Sequence, residues 1–141
     1  MKRLVPILLV ALLGASNSST AQQIVEARGI ASKVKMEEVV YGHLAELNGR
    51  FKLRVTEVTF EPGGFLGAHH HAGPGIRFVA SGEVTFVQAS KATIYKAGDY
   101  FFESGNVVHT AQNKAKAPLR IIFFEILPVQ WSGSAVIQPK P

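Results

Sequence analysis

The sequence predicts a single all-β domain, a sandwich or barrel of short strands, and three observations carry that prediction. Apolar and polar residues alternate through Phe51-Lys52-Leu53-Arg54-Val55-Thr56, which places one face of a strand inside and the other in water. Turn-forming clusters recur at short intervals, at Pro62-Gly63-Gly64, Ser81-Gly82, Ala97-Gly98, Ser104-Gly105-Asn106 and Lys114–Pro118. No window holds a sustained helical stripe, and 141 residues suit one core.

Taken in order, the chain opens with Lys2 and Arg3, an apolar run from Leu4 to Leu13, and small residues ending in Ser19-Thr20-Ala21. That order predicts a signal peptide over residues 1–21, cut after Ala21, and a periplasmic or secreted product. The run is short for a bilayer span, so no stable membrane anchor is expected. The chain has no cysteine, which removes both a lipid attachment site and a disulfide framework. Residues 22–35 show no clear period and read as an N-terminal arm or an edge strand. Asn48-Gly49 predicts a two-residue hairpin between Glu38–Leu47 and the strand beginning at Phe51. Glu57-Val58-Thr59-Phe60 continues that alternation. Further strands are expected at Ile76–Ala80, Glu83–Gln88, Thr93–Tyr95, Asp99–Glu103, Val108–Gln112 and Leu119–Leu127. The barrel therefore occupies residues 36–131, and residues 132–141 form a tail that frays from Gly133.

Charge narrows the function classes. The formal net charge of +5 includes Lys2 and Arg3, which leave with the leader, and the other basic residues are scattered among acids. No basic stripe exists to track a nucleic acid. Neither a Ser-His-Asp order nor a phosphate-cradling glycine loop points to hydrolase or nucleotide chemistry.

Three of the five histidines stand in a row, His69, His70 and His71, inside the glycine-bounded stretch GGFLGAHHHAGPGIRF. In an extended strand His69 and His71 share one face and His70 takes the other. Two imidazoles at that spacing reach a single ion, and a further ligand must come from another strand. His109 is the candidate, in the run Val107-Val108-His109-Thr110-Ala111 after a glycine turn. By itself it reads as a core histidine. His43 has no evident partner.

The wider pattern resembles the cupin family. Its first motif is matched by Gly63, His69, His71 and Gly82, and its second by Gly98, His109 and Asn113, each at the family's spacing. The resemblance covers about Phe51 to Leu127. It implies a cupin double-stranded β-helix, a jelly-roll barrel, that holds one divalent metal ion through His69, His71 and His109. Fe2+ or Mn2+ is favoured, with Zn2+, Ni2+ or Cu2+ as alternatives. The family's dimers, formed through edge strands, imply a homodimer here too.

Three positions depart from the motifs. Gly75 stands where the family's glutamate ligand belongs, Ser104 replaces a proline and Asn106 a glycine. The last two are natural turn residues. Gly75 leaves a neutral three-histidine set with open positions for water, oxygen or an anion. Strand parity from Gly75 turns Arg77 and Val79 inward as well. An inward arginine is costly unless it meets an anion, and Arg77 therefore reads as an anchor for an anionic substrate, as the ion-pair partner of an inward acid such as Glu103 or Glu57, or as a barrel-mouth arginine reaching solvent. Glu103 is also a candidate to orient an imidazole from behind. The aromatics Tyr100, Phe101, Phe102, Phe123, Phe124 and Trp131 are expected in the core, on a dimer surface or around an apolar pocket.

The expected function is a metal-dependent cupin acting on a small organic molecule, with oxygenase chemistry first and isomerase or lyase chemistry next. A non-catalytic module that captures a ligand or a metal is the rival. A group able to exchange protons beside the ion would favour the enzyme.

Overall fold

The computed structural model describes residues 24–140, so the expected leader and its cleavage point lie outside the described residues. Among the described residues nine strands follow in chain order: β1 (Ala27–Val39), β2 (Phe51–His71), β3 (Gly75–Ser81), β4 (Glu83–Gln88), β5 (Lys91–Lys96), β6 (Tyr100–Glu103), β7 (His109–Gln112), β8 (Leu119–Pro128) and β9 (Val136–Ile137). The hydrogen-bonded order is β5-β4-β7-β2-β8-β3-β6, with β1 and β9 also paired to β2, and every pairing is antiparallel. Among the described residues no helix is long and apolar enough to cross a membrane.

β2 joins the two halves of the barrel. Its first half, Phe51 to Phe60, pairs with β8, and its second half pairs with β7 at Phe65, Leu66 and His69. The expected break at Pro62-Gly63-Gly64 is instead a corner within one strand of 21 residues. Gly63 turns the chain with a positive φ of 77°, a conformation that favours glycine. The fully buried Asn113 holds that corner, its Nδ2 donating to the carbonyls of Phe60 and Glu61 at 3.2 Å and of Ala117 at 2.8 Å. The motif asparagine thus ties the turn after β7 to the bend of β2.

Alternation aims one face of each strand into a shared core. Val58, Phe60, Leu66, Val79, Val84, Phe86, Phe101, Leu119, Ile121 and Phe123 fill it. Burying side chains of this size contributes roughly 1.5–3 kcal/mol each, the driving force left to a fold without disulfides.

Two terminal segments differ from expectation. Residues 27–39 form an edge strand that runs past residue 35, and the hairpin to β2 closes from Val39 opposite Lys52, not around Asn48-Gly49. The loop between them is a series of turns, with Leu47 N donating to Leu44 O and Gly49 N to Val40 O, so of the strand expected over Glu38–Leu47 only Glu38 and Val39 are in a strand, as the end of β1. At the other end the tail does not fray from Gly133. Its β9 pairs with His70 and His71, and Ala72 N donates to Ala135 O at 2.9 Å. The buried Arg54 secures it, donating to Gly133 O and to Glu37 at 2.7 Å each. A guanidinium buried there requires both partners.

Candidate metal centre

His69 and His71 lie on the inward face of β2, and His109 begins β7 directly opposite His69. All three are buried, and one ligand nitrogen from each falls within 4.8 Å of the others. Their ring centroids lie 5.0 Å (His69–His71), 4.2 Å (His69–His109) and 5.4 Å (His71–His109) apart. His70 points to the other face, half-buried beside β9, and His43 is exposed in the β1–β2 loop.

Backbone carbonyls orient two of the rings. His69 Nδ1 lies 2.7 Å from Gly67 O, and His109 Nδ1 lies 3.0 Å from Val107 O. A carbonyl only accepts, so each Nδ1 carries the proton and each Nε2 lone pair is left facing inward. Burial, reinforced by the neighbouring His109, pushes His69 down to about 3. It is neutral at ordinary pH, the form that binds a metal. Phe86 and Phe123 form apolar walls beside His109 and His71.

The neutral character expected of this site is overturned. Gly75 on β3 faces Glu103 on β6 and Glu125 on β8, so the register supplies a carboxylate on either side of the position that lacks one. Glu103 Oε2 lies 3.1 Å from His71 Nε2, and its Oε1 lies 3.2 Å from His109 Nε2. Glu125 Oε1 lies 3.2 Å from His71 Nδ1. Despite these distances neither ring nitrogen of His71 makes an aligned hydrogen bond. Burial alone would raise Glu103, but the contact with His109, the Arg77 guanidinium and the neighbouring His71 outweigh it and hold the carboxyl at about 2. Glu125 was not anticipated. Its signal is an acid at an inward position of β8, where Leu119, Ile121, Phe123 and Leu127 are otherwise apolar.

Arg77 corrects a second expectation. It is fully buried, its Nε donates to Glu103 Oε2 at 2.7 Å, and its Nη2 reaches Glu103 Oε2 and Glu125 Oε1. The Phe123 ring lies 4.2 Å from its guanidinium carbon. The anchor for an anionic substrate gives way to an internal ion pair, because two protein acids already occupy the fork. Glu57 takes no part, since it pairs with Arg120 at 2.8 Å. Arg77 Nη1 lies over Gly75, where a Cβ would press on that nitrogen and on the Phe124 carbonyl oxygen.

A cavity of about 1360 Å3 reaches His71, Phe123 and Glu125 from outside, with walls from β1 and from residues 131–140. The arrangement fits a divalent ion: three inward imidazoles, a buried His71 without a hydrogen bond, and acids beside it.

Inward histidines from two strands of an antiparallel barrel define a double-stranded β-helix with a histidine triad. Residues 56–125 match the cupin domain family. The structure is similar to a cupin-like protein of Thermotoga maritima, at 27% identity over 86% of this chain and 80% of that one, with a TM-score of 0.55. It is also similar to a protein with a double-stranded β-helix domain from Klebsiella pneumoniae (22% identity, 78% and 85% covered, TM-score 0.54). A third is the polyketide cyclase RemF of Streptomyces resistomycificus (17% identity, 75% of each chain, TM-score 0.54). No curated protein matches the sequence. The chain belongs to the cupin family.

Proposed function

We propose that this cupin is exported to the periplasm or secreted, holds one divalent ion through His69, His71 and His109, and acts on a small organic molecule in the adjoining cavity. The observation that carries the reading is the convergence of buried imidazoles whose Nε2 lone pairs are left inward by the Gly67 and Val107 carbonyls. A divalent ion held there would supply Lewis-acid polarisation and, if it were Fe2+ or Mn2+, redox chemistry with oxygen. The chain's own residues do the rest. Phe123 and the apolar walls strip water from a ligand, and Glu125, which lines the cavity, is a group there able to exchange a proton. Arg77 is not free to grip a carboxylate, so a neutral molecule suits the cavity better than an anion.

Oxygenase chemistry leads, with isomerase or lyase chemistry next, because Glu125 supplies the proton-exchanging group that such reactions need. A non-catalytic binding module is supported by the apolar residues of the cavity wall. The test is the metal content of protein recovered from its export compartment, with mass spectrometry of its N-terminus, followed by oxygen uptake over a panel of neutral and acidic compounds. Metal with turnover supports the enzyme; metal with ligand binding and no turnover leaves the module. Metal-free protein, or an intact Met1 on exported protein, overturns the corresponding part.

A further inference from the structure

We propose that Glu103 is a protein ligand of the metal centre, a carboxylate moved one strand over from position 75; the assignment rests on the three-histidine reading above. Gly75 and Glu103 are direct partners across β3 and β6, so a carboxylate at 103 stays at the same level of the barrel as one at 75. Position 75 itself has no room for a side chain, because Arg77 Nη1 and the Phe124 carbonyl lie where its Cβ would be.

The separations from two of the three imidazoles fit ligation. Two ligand atoms each about 2.1 Å from one ion, at about 90–110° to each other, stand about 3.0–3.4 Å apart. Glu103 oxygens lie 3.1 Å from His71 Nε2 and 3.2 Å from His109 Nε2. Hydrogen bonding does not account for both contacts. The single N–H of a neutral His109 is taken by Val107 O, and His71 Nε2 has no aligned partner. Ring nitrogens of two imidazoles and a carboxylate therefore converge in a buried space, and His109 has no N–H left to bridge to the acid. That is costly unless a cation fills it.

Arg77 prepares the carboxylate for this role. Its Nε and Nη2 hold Glu103 Oε2, which leaves Oε1 on the His109 side. Arg77 is the single guanidinium set against two carboxyl groups, Glu103 and Glu125.

The experiment uses Co2+, whose visible spectrum reports the number and kind of its ligands, with affinity measured by calorimetry on wild type, Glu103→Gln and His69→Ala. Glu103→Gln should bind Co2+ about tenfold or more weakly and change the spectrum. Unchanged affinity and spectrum in Glu103→Gln, with loss in His69→Ala, overturns the ligand assignment alone. Wild type that takes up no Co2+ overturns the metal reading and this assignment together. If Glu103→Gln does not fold, Glu103→Asp keeps the charge opposite Arg77 but withdraws the oxygens by one methylene. It should show the same weakening, and wild-type affinity and spectrum there overturn the assignment equally.

Discussion

Arg77 and Glu103 form a buried ion pair across β3 and β6, displaced diagonally because Arg77 faces Phe101 and Glu103 faces Gly75 in the register. Glu125 completes the pair from β8 at 3.2 Å. Removing one partner of such a group leaves uncompensated charge in the interior, which costs far more than the net worth of the pair. Arg77→Leu should therefore destabilise the fold by about 3–5 kcal/mol in urea denaturation. A loss under about 1 kcal/mol would mean that water reaches the two acids and that the pair is weak.

Gly75→Ala should destabilise the protein by about 1–3 kcal/mol, the usual range for forcing extra volume into a packed interior. The cause is local. The new Cβ meets the Phe124 backbone carbonyl, which is held within the sheet, as well as Arg77 Nη1, which moves only by loosening its hold on Glu103. Combining Gly75→Ala with Arg77→Leu separates the two effects, since the double variant retains only the backbone clash. If the single and double variants show that the two costs simply add, Arg77 is not what the methyl displaces.

Metal-free protein should lose stability steadily as pH falls from neutral. His69 lies at about 3 in the fold against an ordinary 6.5, so between those values the unfolded chain binds a proton that the native state refuses. Glu103, at about 2 against 4.5, adds the same sign below 4.5. In both cases the unfolded state holds more protons, stability rises with pH, and the slope approaches about 1.4 kcal/mol per pH unit for each proton. Urea denaturation at pH 7, 5.5 and 4.5 measures it. Equal stability at all three would show that His69 takes up its proton within the fold.

Local pattern made the strands legible, and long-range register did not. Alternation located β3, β4 and β8 almost to the residue, because each buries one face and solvates the other. The Pro62-Gly63-Gly64 signal was read as an end, whereas Asn113 turns it into a corner, a contact made by a residue some fifty positions away. β9 spans two residues, too few for any period to show. Within the site, parity placed His69, His71 and Arg77 inward. It could not reveal that Gly75 lies level with Glu103 and Glu125, since strand order and register follow from how distant segments pair.

Alanine substitution at each histidine should divide them by face. His69→Ala, His71→Ala and His109→Ala each remove a nitrogen from the convergent group, and each should lower bound metal well below the wild-type stoichiometry on elemental analysis. They should also lose the rise in unfolding temperature that added metal gives wild type, since an ion that binds only the native state stabilises it in proportion to its affinity. His70→Ala should keep both, because His70 sits on the opposite face of β2 against Ile137. Stability of the metal-free forms separates ligation from packing: a buried imidazole is also core volume, so His69→Ala weakens the apo fold, yet that loss cannot by itself abolish the response to metal. Should His70→Ala release metal as readily as His71→Ala, the ion would lie on the β9 side of the strand, and Glu103, on the inner side, would be too far away to bind it.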